Sequence, residues 1–85
     1  MGDVMDRVKA GAALAAGLAM AGLEVSDLWL RYFALGGGYS LTTFPAYLAG
    51  DSDWDAREHN IAALALNEYL VDQGLDHPVR YAEEI

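Results

Sequence analysis

The chain has 85 residues, 54% of them hydrophobic, and its 13 acidic and 5 basic residues give a net charge of −8. This length predicts a single domain with a small stability margin. Nucleic acids and anionic membrane surfaces are bound through Lys and Arg, so the charge excludes both as partners. The absence of cysteine excludes disulfides, thiolate nucleophiles and cysteine-based metal sites.

The first predicted helix covers residues 4–21, with Asp3 as its N-cap and Gly22 as its stop. Its stretch from Ala10 to Leu23 has no charged residue. That stretch is shorter than the roughly 20 residues needed to span a bilayer. It has the length of a signal-peptide core, but Asp3 and Asp6 cancel the positive leader that such a signal requires. The sequence therefore predicts a cytoplasmic protein.

The second predicted helix starts at Ser26 and Asp27, a hydroxyl cap followed by an acid in the first turn. It ends at Leu35, because Gly36 suits the left-handed position that closes helices. Helical periodicity places Leu28, Tyr32 and Leu35 on one face and pairs Trp29 with Phe33 at i+4. The glycines that follow predict a mobile connection.

Two further helices are predicted. Thr42 or Thr43 caps a short third helix that stops at Gly50. Ser52 and Asp55, at capping-box spacing, open the last helix, which runs to about residue 73 and stops before Gly74. Its main apolar face consists of Ala62, Leu66, Tyr69 and Leu70, and its second apolar sector of Ile61, Leu64 and Val71.

No segment alternates with a period of two, so no strand is predicted and the fold class is all-α. We expect one small four-helix domain over residues 1–85, with two long outer helices, two short inner helices and an extended C-terminal tail. The alanine-rich first helix occupies residues 1–24. Pro78 favours extended geometry in the tail, which is predicted to fold back through Leu75, Val79 and Tyr81.

No catalytic site, metal site or cofactor is predicted. The stretch 51–62 begins with the D-x-D-x-D of a calcium loop, but alanines stand where that loop needs Gly and Glu. His59 and His77 lack metal-ligand spacing, and they are predicted to lie at the surface and in a turn. Ser40 could be a nucleophile with one of these histidines as its base, but no acid is placed to orient that base.

The segment "FALGGGYSL", residues 33–41, resembles the attachment motif F-x-L-G-G-x-S-L of acyl and peptidyl carrier proteins. These are acidic helical domains of similar length. The matching residues are Phe33, Leu35, Gly36, Gly37, Ser40 and Leu41. The resemblance implies phosphopantetheine on Ser40, where a phosphate ester is favoured at a helix N-terminus. This is the alternative function; the leading interpretation makes Ser40 a loop residue or a helix cap.

A broader resemblance covers residues 25–85 through "LWLRYFALGG", "AYLAG" and "ALALNEYLVDQGLDHPVRY". These segments are similar to a family of small helical modules of actinobacterial type, found alone or at one end of larger regulatory proteins. The matching residues are Leu28, Trp29, Arg31, Tyr32, Leu35, Gly36, Gly37, Ala46, Tyr47, Leu48, Gly50, Asn67, Glu68, Leu70 and Val79. The resemblance implies a helical fold and a regulatory setting, and it brings no established activity.

The predicted function is a non-enzymatic protein–protein interaction module with a regulatory role. Trp, Tyr and Arg are the residue types that most often anchor interfaces. The candidates for partner binding are Trp29, Arg31, Tyr32, Tyr39, Phe44 and Tyr47. The alternative places Trp29 and Tyr32 in the core and pairs Arg31 with a local acid. The acidic surface predicts a basic partner, unless it serves only to keep the chain dissolved.

A homodimer is also predicted. The first helix is apolar around its whole circumference, whereas the surface helix of a monomer needs a polar face. The sector formed by Ile61, Leu64 and Val71 needs cover as well, and a two-fold interface would cover both. In the alternative, the two long helices cover each other, with Gly11 and Ala15 admitting Leu64 or Val71.

Overall fold

A computed structural model describes the backbone of residues 3–75 and 79, and the side chains of residues 10–75 and 79. The predicted roles of the His77 and Tyr81 side chains therefore lie outside the described residues. The helices are α1 (Asp3–Ala21), α2 (Val25–Ala34), α3 (Phe44–Leu48) and α4 (Ala56–Asp72), with a 3₁₀ turn at Leu41–Thr43 before α3. The described part of the chain contains no strand, which confirms the all-α class.

No described helix is by itself long and apolar enough to cross a membrane. Residues 10–21 of α1 and helix α2 reach the required length and composition only as a pair, and that pair is bent by 109°.

The helices end at the glycines, as predicted from the sequence. Gly22 follows α1 with φ 69°, and Gly36 lies two residues after α2 with φ 99°. Residues with a Cβ atom avoid this left-handed region, so glycine there closes a helix at little cost.

The predicted helix starts are wrong in two places. The N-cap of α2 is Glu24 rather than Ser26, and its carbonyl accepts the N–H groups of Asp27 and Leu28 at 3.0 and 3.2 Å. Helix α4 begins at Ala56 with Asp55 as N-cap, so Ser52 does not open it. The backbone at Asp55 is still extended, with φ −60° and ψ 146°.

The core is built from all four helices. α1 packs against α3 and α4, and α2 packs against α4 and α3. The buried apolar side chains of the helices are Leu14 and Leu18 of α1, Leu28 and Tyr32 of α2, Phe44 and Tyr47 of α3, and Ala62, Ala63, Ala65, Leu66 and Leu70 of α4. Ala62, Leu66 and Leu70 therefore form the main apolar face of the last helix, as predicted.

Two glycines let neighbours approach α1 closely. A Cβ atom on Gly11 would lie 1.9 Å from the carbonyl oxygen of Tyr47, and one on Gly17 would lie 2.5 Å from Cγ2 of Val79. The expectation that Leu64 or Val71 fills the space beside α1 is wrong, because those side chains are 40% and 67% exposed. The backbone of α3 and the side chain of Val79 occupy these positions.

Val79 closes the core from the C-terminal side. Its side chain is buried, its N–H donates to the amide oxygen of Asn67, and its carbonyl accepts the Asn67 amide N–H at 3.0 Å. Leu75 is half-buried against the same core. The prediction that the tail folds back is confirmed at these two positions.

Candidate functional site

Helix α2 has two apolar faces. Leu28 and Tyr32 point into the core and are fully buried. Trp29, Leu30 and Phe33 lie on the outer side, and we call these three residues the α2 surface. Leu30 and Phe33 are each 59% exposed, and Trp29 is half-buried. The rings of Trp29 and Phe33 stack at 5.2 Å with an interplanar angle of 21°, as their i+4 spacing predicted.

The tyrosine hydroxyl offers a physical reason why Tyr32 lies inside. A phenol can be buried when its O–H finds a polar partner, and Tyr32 has one in Glu58. The indole N–H of Trp29 finds its hydrogen-bond acceptor closer to the surface. Its Nε1–H donates to the carbonyl of Tyr39 at 2.9 Å. The orientation of α2 therefore follows from which aromatic residue finds a buried acceptor.

An open groove lies beside the α2 surface, between α2 and α4. It is lined by Leu23, Asp27, Leu30, Arg31, Ala34 and Tyr69. The guanidinium carbon of Arg31 lies 4.7 Å from the centre of the Tyr69 ring, which is a cation–π contact. Asp27 is exposed, so the groove carries a carboxylate next to its apolar lining.

Three of the six predicted partner-binding residues lie in the interior. Tyr32, Phe44 and Tyr47 are 0%, 0% and 2% exposed, so they offer no surface to a partner in this fold. Trp29 and Tyr39 are half-buried and Arg31 is exposed, and these three remain accessible. The buried aromatic residues were predicted as contacts because residue type alone does not separate an interface anchor from a core side chain.

The buried rings surround Trp54, which sequence reasoning missed. Its ring is parallel to that of Tyr47 at 4.2 Å and contacts the rings of Phe44, Tyr39 and Tyr32 at 4.8, 5.2 and 5.9 Å. Trp54 packs against these rings two residues before α4 begins at Ala56. The available signal was a large apolar residue in the middle of an acidic stretch.

Glu58 is a buried carboxylate near the start of α4, and it also went unnoticed in the sequence. Its Oε1 accepts the hydroxyl of Tyr32 at 2.5 Å and the N–H of Gly38 at 3.0 Å. Its Oε2 accepts an N–H of Arg57 at 2.8 Å. These donors, first the Gly38 N–H and then the Tyr32 hydroxyl, hold the pKa of Glu58 below its usual range.

The same contacts act on Tyr32. Burial and then the hydrogen bond to Glu58 raise the pKa of Tyr32 to about 12. Gly37 lies against the Tyr32 ring, since a Cβ atom there would fall 2.3 Å from the ring carbon Cζ. The connection predicted to be mobile is thus tied to α2 by ring packing and to α4 by hydrogen bonding.

His59 is buried, and the prediction that it lies at the surface is wrong. It is 1% exposed, and its Nδ1 lies 2.8 Å from the hydroxyl oxygen of Tyr47. The signal was present in the sequence, because residue 59 precedes Ala62 and Leu66 by three and seven positions and shares their helix face. The adjacent acid obscured this periodicity.

Ser40 is exposed and occupies the backbone N-cap position of the 3₁₀ turn. Its Oγ lies 2.9 Å from Oγ1 of Thr42, and its carbonyl accepts the hydroxyl of Thr43 at 2.7 Å. Neither Ser40 nor Thr43 caps a helix through its side chain. Ser40 therefore marks the start of the turn through its backbone and not through a side-chain cap.

No protein-family model, curated protein or solved structure matches this chain. Within the described residues, no three His, Asp or Glu side chains are grouped as a metal site would require. What the described residues do present is an aromatic and aliphatic surface on a helix whose opposite face is fixed in the core. Such a surface can bind the apolar side chains of another protein.

Proposed function

We propose that this chain is a non-enzymatic protein–protein interaction module with a regulatory role, and that the α2 surface is its docking site. The single observation that supports this is the outward exposure of Leu30 and Phe33, at 59% each, beside the half-buried Trp29. Stacked aromatic side chains on a rigid helix lose little conformational entropy when a partner covers them.

The occupant of this docking site is a protein with apolar side chains and a rim of Lys or Arg. Exposed Glu24 and Asp27 lie at the start of α2, and Asp27 lines the adjoining groove. The chain as a whole carries a charge of −8. A basic rim would be drawn to this surface, whereas a second copy of the chain would bring like charges together.

Truncation of the docking site is expected to weaken partner binding strongly. The wild-type chain first captures binding proteins from its native extract, and the affinity of each purified partner is then measured by calorimetry. Phe33→Ala is expected to weaken the affinity about thirtyfold, the effect of losing an aromatic anchor worth about 2 kcal/mol. Raising the salt concentration should weaken it further, because exposed charges are screened within about 8 Å at physiological ionic strength.

Leu41→Ala is the matched control, since Leu41 is 36% exposed and lies in the 3₁₀ turn, outside both the α2 surface and the proposed dimer contact. Equal affinities for the two variants would contradict the docking site, and binding that does not depend on salt would contradict the basic rim.

The proposal includes a homodimer formed by a different surface. Ala12, Ala16, Ala19 and Met20 are exposed and share one face of α1. Because residues 10–23 carry no charge, two copies can meet there without the repulsion that the acidic flank of α2 would cause. Exposed Leu64 and Val71 of α4 are further apolar side chains that the pairing could cover.

We expect sedimentation velocity at micromolar concentration to show a species of twice the chain mass. Ala16→Lys should raise the dissociation constant of the dimer by more than tenfold, because it places a charge in an apolar contact. Gln73→Lys introduces the same charge at another exposed position and should leave the dimer intact. A fully folded monomer for the wild-type chain would rule out self-association.

Phosphopantetheine attachment is the second candidate, favoured by the exposure of Ser40 at the start of a helical turn. Incubation with a broad-specificity phosphopantetheinyl transferase and coenzyme A followed by intact mass measurement tests it. We expect no mass addition. Ser40 is followed only by a 3₁₀ turn and by the five residues of α3. These elements are short for the recognition helix of a carrier protein. An addition that Ser40→Ala abolishes would establish the carrier function instead.

The proposal also places this module in the cytoplasm. It treats α1 and α4 as the long outer elements, of 19 and 17 residues, and α2 and α3 as the short inner ones, of 10 and 5 residues.

A further inference from the structure

A continuous series of hydrogen bonds connects α4 to the α2 surface. It begins at Glu58, which is 7% exposed and accepts the Tyr32 hydroxyl at 2.5 Å. The oxygen of that hydroxyl accepts the N–H of Tyr39 at 2.8 Å. The carbonyl of Tyr39 accepts the indole N–H of Trp29 at 2.9 Å. Each group in the series therefore fixes the next one.

Gly38 completes the arrangement. Its N–H donates to the same Glu58 oxygen at 3.0 Å, so Glu58 holds the loop both directly and through Tyr32. The charge on Glu58 is the reason that the arrangement is tight, because hydrogen bonds to an ionised acceptor are shorter and stronger than those between neutral groups. The Arg57 side chain is 69% exposed, so its ion pair with Glu58 adds little to this hold.

We propose that Glu58 is a positioning residue for the docking site, acting through Tyr32 and Tyr39 to fix the orientation of Trp29. Its functional meaning rests on the proposed docking function. The Tyr39 carbonyl holds the indole in the orientation in which Trp29 stacks on Phe33. A surface ordered before binding loses less side-chain conformational entropy when the partner binds.

The orientation of Trp29 can be measured without any partner. In the wild-type protein, NMR should show that the indole N–H of Trp29 exchanges with solvent much more slowly than a free indole. Tyr32→Phe keeps the buried ring and removes the hydroxyl, so it should accelerate this exchange by at least tenfold and shift the indole resonance. Backbone amides in the middle of α1, which takes no part in this series of hydrogen bonds, serve as an internal reference for global unfolding.

Variants at Glu58 test the first step of the series. Glu58→Ala should accelerate Trp29 exchange as Tyr32→Phe does. Glu58→Gln should give protection between that of Glu58→Ala and the wild type, because its amide oxygen can accept the same two donors but carries no charge. Arg57→Ala removes only the exposed ion pair and should leave the exchange unchanged. A wild-type indole that exchanges at the free rate would overturn the proposal, as would unchanged exchange in folded Tyr32→Phe.

The binding consequence is measured separately. Tyr32→Phe should weaken partner affinity by roughly threefold to tenfold although Tyr32 itself is buried. Slow indole exchange at Trp29 together with unchanged binding by Phe33→Ala would refute the docking function. It would leave the role of Glu58 in orienting Trp29 intact. If Phe33→Ala weakens binding and Tyr32→Phe does not, the docking function stands and the positioning role of Glu58 is refuted.

Discussion

Replacing Trp54 with alanine is expected to lower the free energy of unfolding by about 3 to 5 kcal/mol. The total for a chain of this length is about 4 to 13 kcal/mol, so the variant should lose a large fraction of its stability. The indole contacts four aromatic rings from α2, α3 and the loop between them, so its loss opens a cavity where these elements meet.

Urea denaturation followed by far-ultraviolet circular dichroism measures this effect without relying on tryptophan fluorescence. Leu30→Ala is the control, because it also removes a large apolar side chain, but one that is 59% exposed. We expect its effect to be below about 1 kcal/mol. Similar losses for the two variants would mean that the ring contacts of Trp54 contribute little to the stability of the fold.

The second large effect is expected for Gly11→Ala, which should lower the free energy of unfolding by about 2 to 3 kcal/mol. The new Cβ atom would lie 1.9 Å from the Tyr47 carbonyl oxygen and 3.1 Å from the carbonyl carbon. Backbone atoms cannot turn aside as a side chain can, so α1 and α3 must move apart. The clash outweighs the gain of about 1 kcal/mol that alanine brings to a helix interior.

Gly17→Ala provides the matched comparison in the same helix. Its Cβ atom would meet Cγ2 of Val79 at 2.5 Å and Cδ2 of Leu66 at 2.9 Å, both of them ends of side chains. The helix propensity changes equally in both variants, so the difference between them reports the contact alone. We expect the thermal midpoint of Gly11→Ala to lie at least about 8 °C below that of Gly17→Ala. Equal midpoints would show that α1 and α3 can separate easily.

The presence of the helices and their C-terminal ends could be predicted from the sequence because their causes are local. A glycine such as Gly36 acts through its own backbone dihedrals, so the end of α2 is encoded within a few residues. The start of α4 comes instead two residues after Trp54, which is held by rings from distant parts of the chain. The local capping pattern at Ser52 does not set this start.

The candidate site could be predicted only in part. Periodicity shows that Leu28 and Tyr32 share one face of α2 and that Trp29 and Phe33 share another. Both faces are apolar, so composition does not tell which one meets the core. The orientation of α2 depends on Glu58, whose carboxylate accepts a hydrogen bond from Tyr32, a residue 26 positions earlier. No pattern within either helix encodes that pairing.

The contact between Gly17 and Val79 has a consequence for how the chain reaches its fold during synthesis. The two residues lie near opposite ends of the sequence, yet Val79 seals the side of α1 that faces α4. Within this chain, α1 is synthesised before α3, α4 and Val79, so that side of α1 stays uncovered until residue 79 has been synthesised. Apolar surface that is exposed before folding is complete favours aggregation or chaperone binding.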